Sequence, residues 1–209
     1  MSTTFNVYPK LSEIPSFREL LDLSSARLSE YLIDQGINAQ PTINVALQSN
    51  RNHKPRPFDL NSPAMWSERE YAWFYIESAP GGTDAYFSSN QEFGYEYWDG
   101  EIETHLRAAE RKTFIYECLA NDYHWDFRRS AGQPAIINVA YGMIAGSLAE
   151  LTEGLIYSDD SAWDYERFPA TAQEFFSEYF RPDKAIKAAY AEWAARCIKH
   201  LDEELRALR

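Results

Sequence analysis

The stretch "PAIINVAYGMIAGSLAEL", residues 134–151, decides how the chain is read. It is the most apolar window, and it reads as one nearly all-apolar helix with Pro134 at its first position. It is too short for a membrane span and carries Asn138, so it reads as a core helix. Gly142 and Gly146 lie four apart and give it a smooth stripe, where a sheet or second helix can approach closely. Gly154 fits a helix C-terminus.

Outward from this helix, "LIYS" (155–158) reads as a buried strand, and Pro169 breaks the loop that follows it. Thr171 and Glu174 then form a capping box that starts a helix carrying Phe175, Phe176, Tyr179 and Phe180. A last helix is expected from near Pro182 to the C-terminus. Ile186, Tyr190, Trp193, Cys197, Leu201, Leu205 and Leu208 make its apolar stripe, so 182–209 is an amphipathic helical segment. On the N-terminal side, "TFNVY" (4–8) is a short strand. Ser16 and Glu19 make a first capping box, and its helix runs to Gly36. "PTINVALQS" (41–49), "YAWFYIES" (71–78), "AYFSS" (85–89) and "FGYEYW" (93–98) read as strands, the last by its alternating Phe93, Tyr95 and Tyr97. The stretch 50–63 between the first two is rich in breakers and reads as an exposed loop. Residues 101–120 fit a helix through Leu106, Ala109, Tyr116 and Ala120, or the first arm of a hairpin. We read a helix followed by a strand at "YHWDFRR". The whole chain, 1–209, is thus expected to be one α+β domain, with a mainly antiparallel or mixed sheet packed by helices and a C-terminal helical segment.

Composition narrows function. Apolar residues make up 45% and charged residues 25% of 209 positions, which is globular composition. The formal net charge of −12 opposes binding to nucleic-acid phosphates and favours capture of a basic partner. The N-terminus has no basic start followed by an apolar run, and the two cysteines, Cys118 and Cys197, have no metal-ligand spacing. A cytoplasmic, membrane-free location is expected, with no cofactor.

Motifs of catalysis are absent from the sequence. The four histidines show neither HExxH nor HxH spacing, and no nucleophile elbow or phosphate loop occurs. In "NDYHWDF" the alternating Asp122, His124 and Asp126 would share one face of a strand, which is geometrically suited to acid/base or metal chemistry and equally to a surface ion pair. In "GLIYSDDSAWDYERF" (154–168) the carboxylates Asp159, Asp160, Asp164 and Glu166 crowd together, but without the central glycine and later glutamate of a calcium loop. A metal site, a surface for another protein and a solvated loop all fit this spacing. "FGYEYWDGE" repeats the mixture of acids and aromatics and adds Tyr95, Glu96, Trp98 and Asp99 as candidate partner contacts. Aromatics supply desolvated anchors, and carboxylates pair with Lys or Arg.

Residues 130–182, with "GLIYSDDSAWDYERFPAT" between an apolar helix and a second helix, resemble bacterial polymorphic-toxin immunity proteins. The similarity is to the α+β family paired with restriction-endonuclease-like toxins of type VI secretion and related systems. The resemblance implies a cytoplasmic, non-enzymatic protein that binds its cognate toxin and blocks the active site. It carries over Ser158, Asp159, Asp160, Trp163, Asp164 and Glu166 as toxin contacts. A basic, nuclease-like toxin would complement the acidic chain. Two other functions compete with this one. One is a metal-dependent hydrolase built on Asp159, Asp160 and Asp164 with His124. The other is an adaptor that forms a homodimer through its C-terminal helix.

Overall fold

In the computed structural model, which describes residues 2–77, 79–90 and 94–207, the apolar window forms helix α5 (Ala135–Leu151), buried from Ala135 through Ala149. A helix without a polar face has to be covered on all sides. One cover is a sheet of eight strands in the order β3-β2-β4-β5-β6-β1-β7-β8. Its strands are β1 (Ser2–Tyr8), β2 (Ile43–Ser49), β3 (Pro55–Arg56), β4 (Glu70–Ile76), β5 (Thr83–Ser89), β6 (Tyr123–Ser130), β7 (Leu155–Tyr157) and β8 (Ala170–Thr171). Every neighbouring pair is antiparallel. The other cover is α1 (Phe17–Asp34), α6 (Ala172–Glu178) and α7 (Ala188–Ala207), which pack on the remaining sides of α5. The molecule is a single α+β domain.

Strand alternation sets the two faces of the sheet, because successive side chains point to opposite sides. Phe5, Val7, Trp125, Phe127, Ala85, Ala72, Phe74, Ile43 and Leu47 point to the α5 side and are buried. Phe5 stacks on Tyr141 of α5 with ring centroids 4.6 Å apart. The buried Asn138 of α5 has a partner on the sheet: its Oδ1 accepts from the Arg129 guanidinium, which lies over the rings of Tyr141 and Trp193. Tyr179 donates to the carbonyl of Asn138 at 2.6 Å.

Both capping boxes form. Ser16 and Glu19 close the start of α1, and Thr171 and Glu174 that of α6. The two glycines of α5 face α6 and the turn after it rather than the sheet. A Cβ on Gly142 would lie 2.1 Å from the Tyr179 ring, and one on Gly146 would lie 2.6 Å from Phe176. From the apolar stripe of the last helix, Leu201 and Leu205 are buried in the same core, and Ile186, just before α7, is exposed. Among the described residues no helix is long and apolar enough to cross a membrane.

Four expectations are corrected. Residues 94–98 are not a strand but the start of α2 (Gly94–Thr104), followed by α3 (Leu106–Glu110) and α4 (Lys112–Leu119). Alternation over six residues does not separate strand from helix; here the i, i+4 pair Trp98 and Ile102 turns inward. Phe93 lies outside the described residues, as do Ser78 and Leu208. The stretch 101–120 is helical and β6 follows it, as read from the sequence, so the alternative hairpin does not form. The last helix begins at Ala188 rather than near Pro182, because the buried Asp164 carboxylate accepts from the backbone N–H groups of Ile186 and Lys187 at 2.7 and 3.1 Å. That bonding fixes 181–187 as a turn. Helix α6 stops at Glu178, with Tyr179 extended and Phe180 at φ +57°. Pro134 caps α5 from just outside its first turn.

The close approach at Gly142 sets a stability test. Gly142→Ala drives a methyl into the buried Tyr179 ring and is expected to cost about 1–3 kcal/mol in urea-induced unfolding. The ordinary helix-propensity gain of Gly→Ala in its place would contradict the packing.

Candidate functional site

The face of the sheet turned away from α5 carries the unusual chemistry. Register lines up Tyr157, Asn6, Asp126 and Tyr86 in one row across β7, β1, β6 and β5. At one end α2 closes over this face. Its Trp98 is fully buried, 4.7 Å from the Tyr157 ring and edge-on to Tyr8 at 5.5 Å. Beyond α2 the face opens into a cleft of about 810 Å³ walled by Tyr8, Tyr97, Tyr86, Ser88, His124 and Glu68.

His124 and Asp126 share this face, and Nε2 of the imidazole lies 3.0 Å from Oδ1 of the carboxylate. The other ring nitrogen, Nδ1, lies 2.5 Å from Oδ1 of Asn90. The amide of Asn90 is oriented by its own donation to the carbonyl of Tyr123 at 3.2 Å. Both imidazole nitrogens therefore have oxygen neighbours within the protein. Tyr8 stacks on the ring at 4.9 Å and fixes it further. Asp122, expected on the same strand face, sits before β6 in a turn with φ +54°. The imidazole is held in the cleft wall between Asp126 and Asn90.

The ten residues singled out by sequence divide into two groups. Ser158, Trp163, Asp164 and Trp98 are buried and build the rim rather than face outward. Trp163 packs among Tyr179, Phe180, Tyr190 and Trp193. Ser158 accepts from Ala162 N and donates to Asp160. Tyr95, Glu96, Asp99, Asp159, Asp160 and Glu166 are exposed. Of these, Glu166 is met by Lys187 at 3.1 Å, whereas Glu96, Asp99, Asp159 and Asp160 take part in no ion pair among the described residues.

The two acidic-aromatic stretches, far apart in sequence, meet here. Tyr97 of α2 donates to Asp159 at 2.8 Å across 62 positions, and its oxygen in turn receives the Tyr157 hydroxyl at 2.8 Å. Tyr165 donates to Glu101 at 2.6 Å. Burial first, and then the neighbouring carboxylates, push these phenols up, Tyr97 and Tyr157 far above the usual range and Tyr165 to about 12. They remain neutral donors that hold the carboxylates in place. Sequence reasoning missed Glu68, Tyr86 and Tyr97 as site residues. The last had a signal in its place between Glu96 and Asp99, but Glu68 had none.

The carboxylates offered as metal ligands diverge. Asp159 turns to Tyr97, Asp160 accepts from Thr4 N at 2.9 Å, and Asp164 points inward to Ile186 and Lys187. Among the described residues no three His, Cys, Asp or Glu side chains group to hold a metal ion. This geometry argues against the metal-dependent hydrolase.

Asp126 gives the site a pH signature. Burial alone would raise its pKa. The hydrogen bond and charge of His124, with bonds from Ser88 and Asn6, outweigh burial and hold the carboxyl below the usual aspartate range. Such a group contributes stability above its unfolded pKa, about 3.9, and loses it as pH falls through the folded value. Wild-type unfolding free energy is expected to fall more steeply below about pH 4 than that of Asp126→Asn. Equal acid slopes would contradict this account of the pair.

Compared with protein-family models, with curated proteins and with solved structures, the chain matches none.

Proposed function

We propose that this chain is an immunity protein that binds a basic, nuclease-like protein toxin and blocks its active site, with no catalytic step of its own. The observation that carries the reading is the rim formed by α2 and residues 158–161. There Glu96, Asp99, Asp159 and Asp160 stand exposed and without counter-ions among the described residues, beside the exposed aromatics Tyr95 and Tyr97. Aromatic anchors flanked by unpaired carboxylates suit a surface rich in Lys and Arg, and the net charge of −12 steers such a partner toward it. A nuclease is basic where it grips phosphates, so a rim of carboxylates competes directly for its substrate site. The resemblance of residues 130–182 to toxin immunity proteins points the same way, as does the diverging geometry of the alternative metal site. A cytoplasmic location follows from this role.

Coexpression with the toxin encoded beside this gene tests the reading. Wild type is expected to restore growth. Charge reversal of the rim, Glu96→Lys with Asp159→Lys, is expected to weaken binding by at least about 2 kcal/mol in a direct titration. Wild-type affinity should also fall as salt rises. Failure of the wild-type chain to protect would overturn the function, and full binding by the reversed rim would overturn the surface assigned to it.

A further inference from the structure

The uncovered sheet face holds more than the rim. Three depressions lie on it, and neighbouring ones share lining residues. The first, about 270 Å³, lies between Asn6 and the pair Asp159 and Asp160. The central cleft of about 810 Å³ follows, and the two share Tyr8 and Tyr97. The third, about 430 Å³, contains Tyr71, Trp73, Asp84 and Arg128 and shares Tyr86 with the cleft. Together they make a trough from β7 to β4. Four strand spacings of about 4.8 Å give it a length of roughly 19 Å, which about six residues of extended chain span.

The charge along the trough is negative. Asp159 and Asp160 lie at the β7 end, Glu68 and Glu70 on the β4 side of the central cleft, and Asp84 on β5 in the third depression. Arg56 meets Glu70, and Arg128 meets Asp84 at 3.0 Å. Glu68, Asp159 and Asp160 take part in no ion pair among the described residues. Arg128 also shows how this surface accommodates a guanidinium, because it lies over the Tyr86 ring, 5.8 Å from the centroid, while bonded to Asp84. A carboxylate beside a tyrosine recurs at Asp159 and Tyr97, where no cation is bound among the described residues.

From the charge and shape of this trough, we infer that it is the docking site for an extended, arginine- or lysine-rich segment of the partner protein, which lies across the strands with its cations between Asp159, Asp160 and Glu68. This rests on the reading of the partner as a basic protein and adds the mode of engagement. Guanidinium groups suit the site through carboxylate pairing and through stacking on the exposed Tyr97.

The test uses the full chain and a labelled Arg-Gly-Arg-Gly-Arg-Gly peptide followed by fluorescence anisotropy at low salt. Binding to wild type is expected. Glu68→Lys and Tyr97→Ala, both at exposed positions, are each expected to weaken it roughly tenfold. Glu203→Lys, the same charge change on the exposed surface of α7, is expected to alter it by no more than about twofold. Absence of peptide binding, or equal losses for Glu68→Lys and Glu203→Lys, would overturn the trough, the second by showing diffuse attraction to an acidic surface. If the peptide series behaves as expected while the wild-type chain protects against no toxin, the immunity reading falls and the trough stands. If the toxin is neutralised but the peptide series is flat, the trough falls alone.

Discussion

Helix α5 has no side that water can wet, and the rest of the architecture follows from that constraint. With Ala135 through Ala149 all buried, the chain spends one face of its sheet and three helices as covers. Close approach at Gly142 and Gly146 brings α6 and the turn after it onto the helix, and Asp164 then ties the segment before α7 to the loop after β7. The consequence for function is spatial. The α5 side of the sheet is consumed by packing, and the opposite face, closed at one end by α2, stays open among the described residues, where the proposed docking surface lies.

That opposite face is built as a rigid display. Neutral tyrosines fix the carboxylates: Tyr97, itself bonded to Tyr157, at Asp159, and Tyr165 at Glu101. Holding several like charges on one rim costs the free protein self-repulsion, and the proposed cationic partner would remove that cost on binding. Preorganised carboxylates also lose little freedom when the partner arrives. The His124–Asp126 pair contributes by fixing the wall of the cleft, since both imidazole nitrogens are already engaged.

Much of the fold was legible because its signals are local. The two capping boxes, the all-apolar helix and the alternation in β2, β4 and β6 each declare themselves within a few residues. Helix α2 did not, since a short aromatic alternation at 93–98 suits either structure until Trp98 finds its slot between Tyr8 and Tyr157. The start of α7 was equally hidden, because the carboxylate that delays it lies more than twenty positions upstream. For the site, the sequence identified the acidic-aromatic stretches but not their division of labour. Trp163 and Asp164 sit next to each other in an acidic run, yet both turn inward, while Asp159 and Asp160 turn out. Only the tertiary packing separates them, and only it brings Tyr97 to Asp159.

The central claim is that a basic protein partner docks on the sheet face opposite α5. Hydrogen–deuterium exchange of the chain alone and in complex with its neutralised toxin tests it directly. The account predicts added protection in α2, in residues 158–161 and along β5 and β6, with α1 and α7 unchanged. Protection confined to α1 or α7, with the trough strands unaltered, would contradict it.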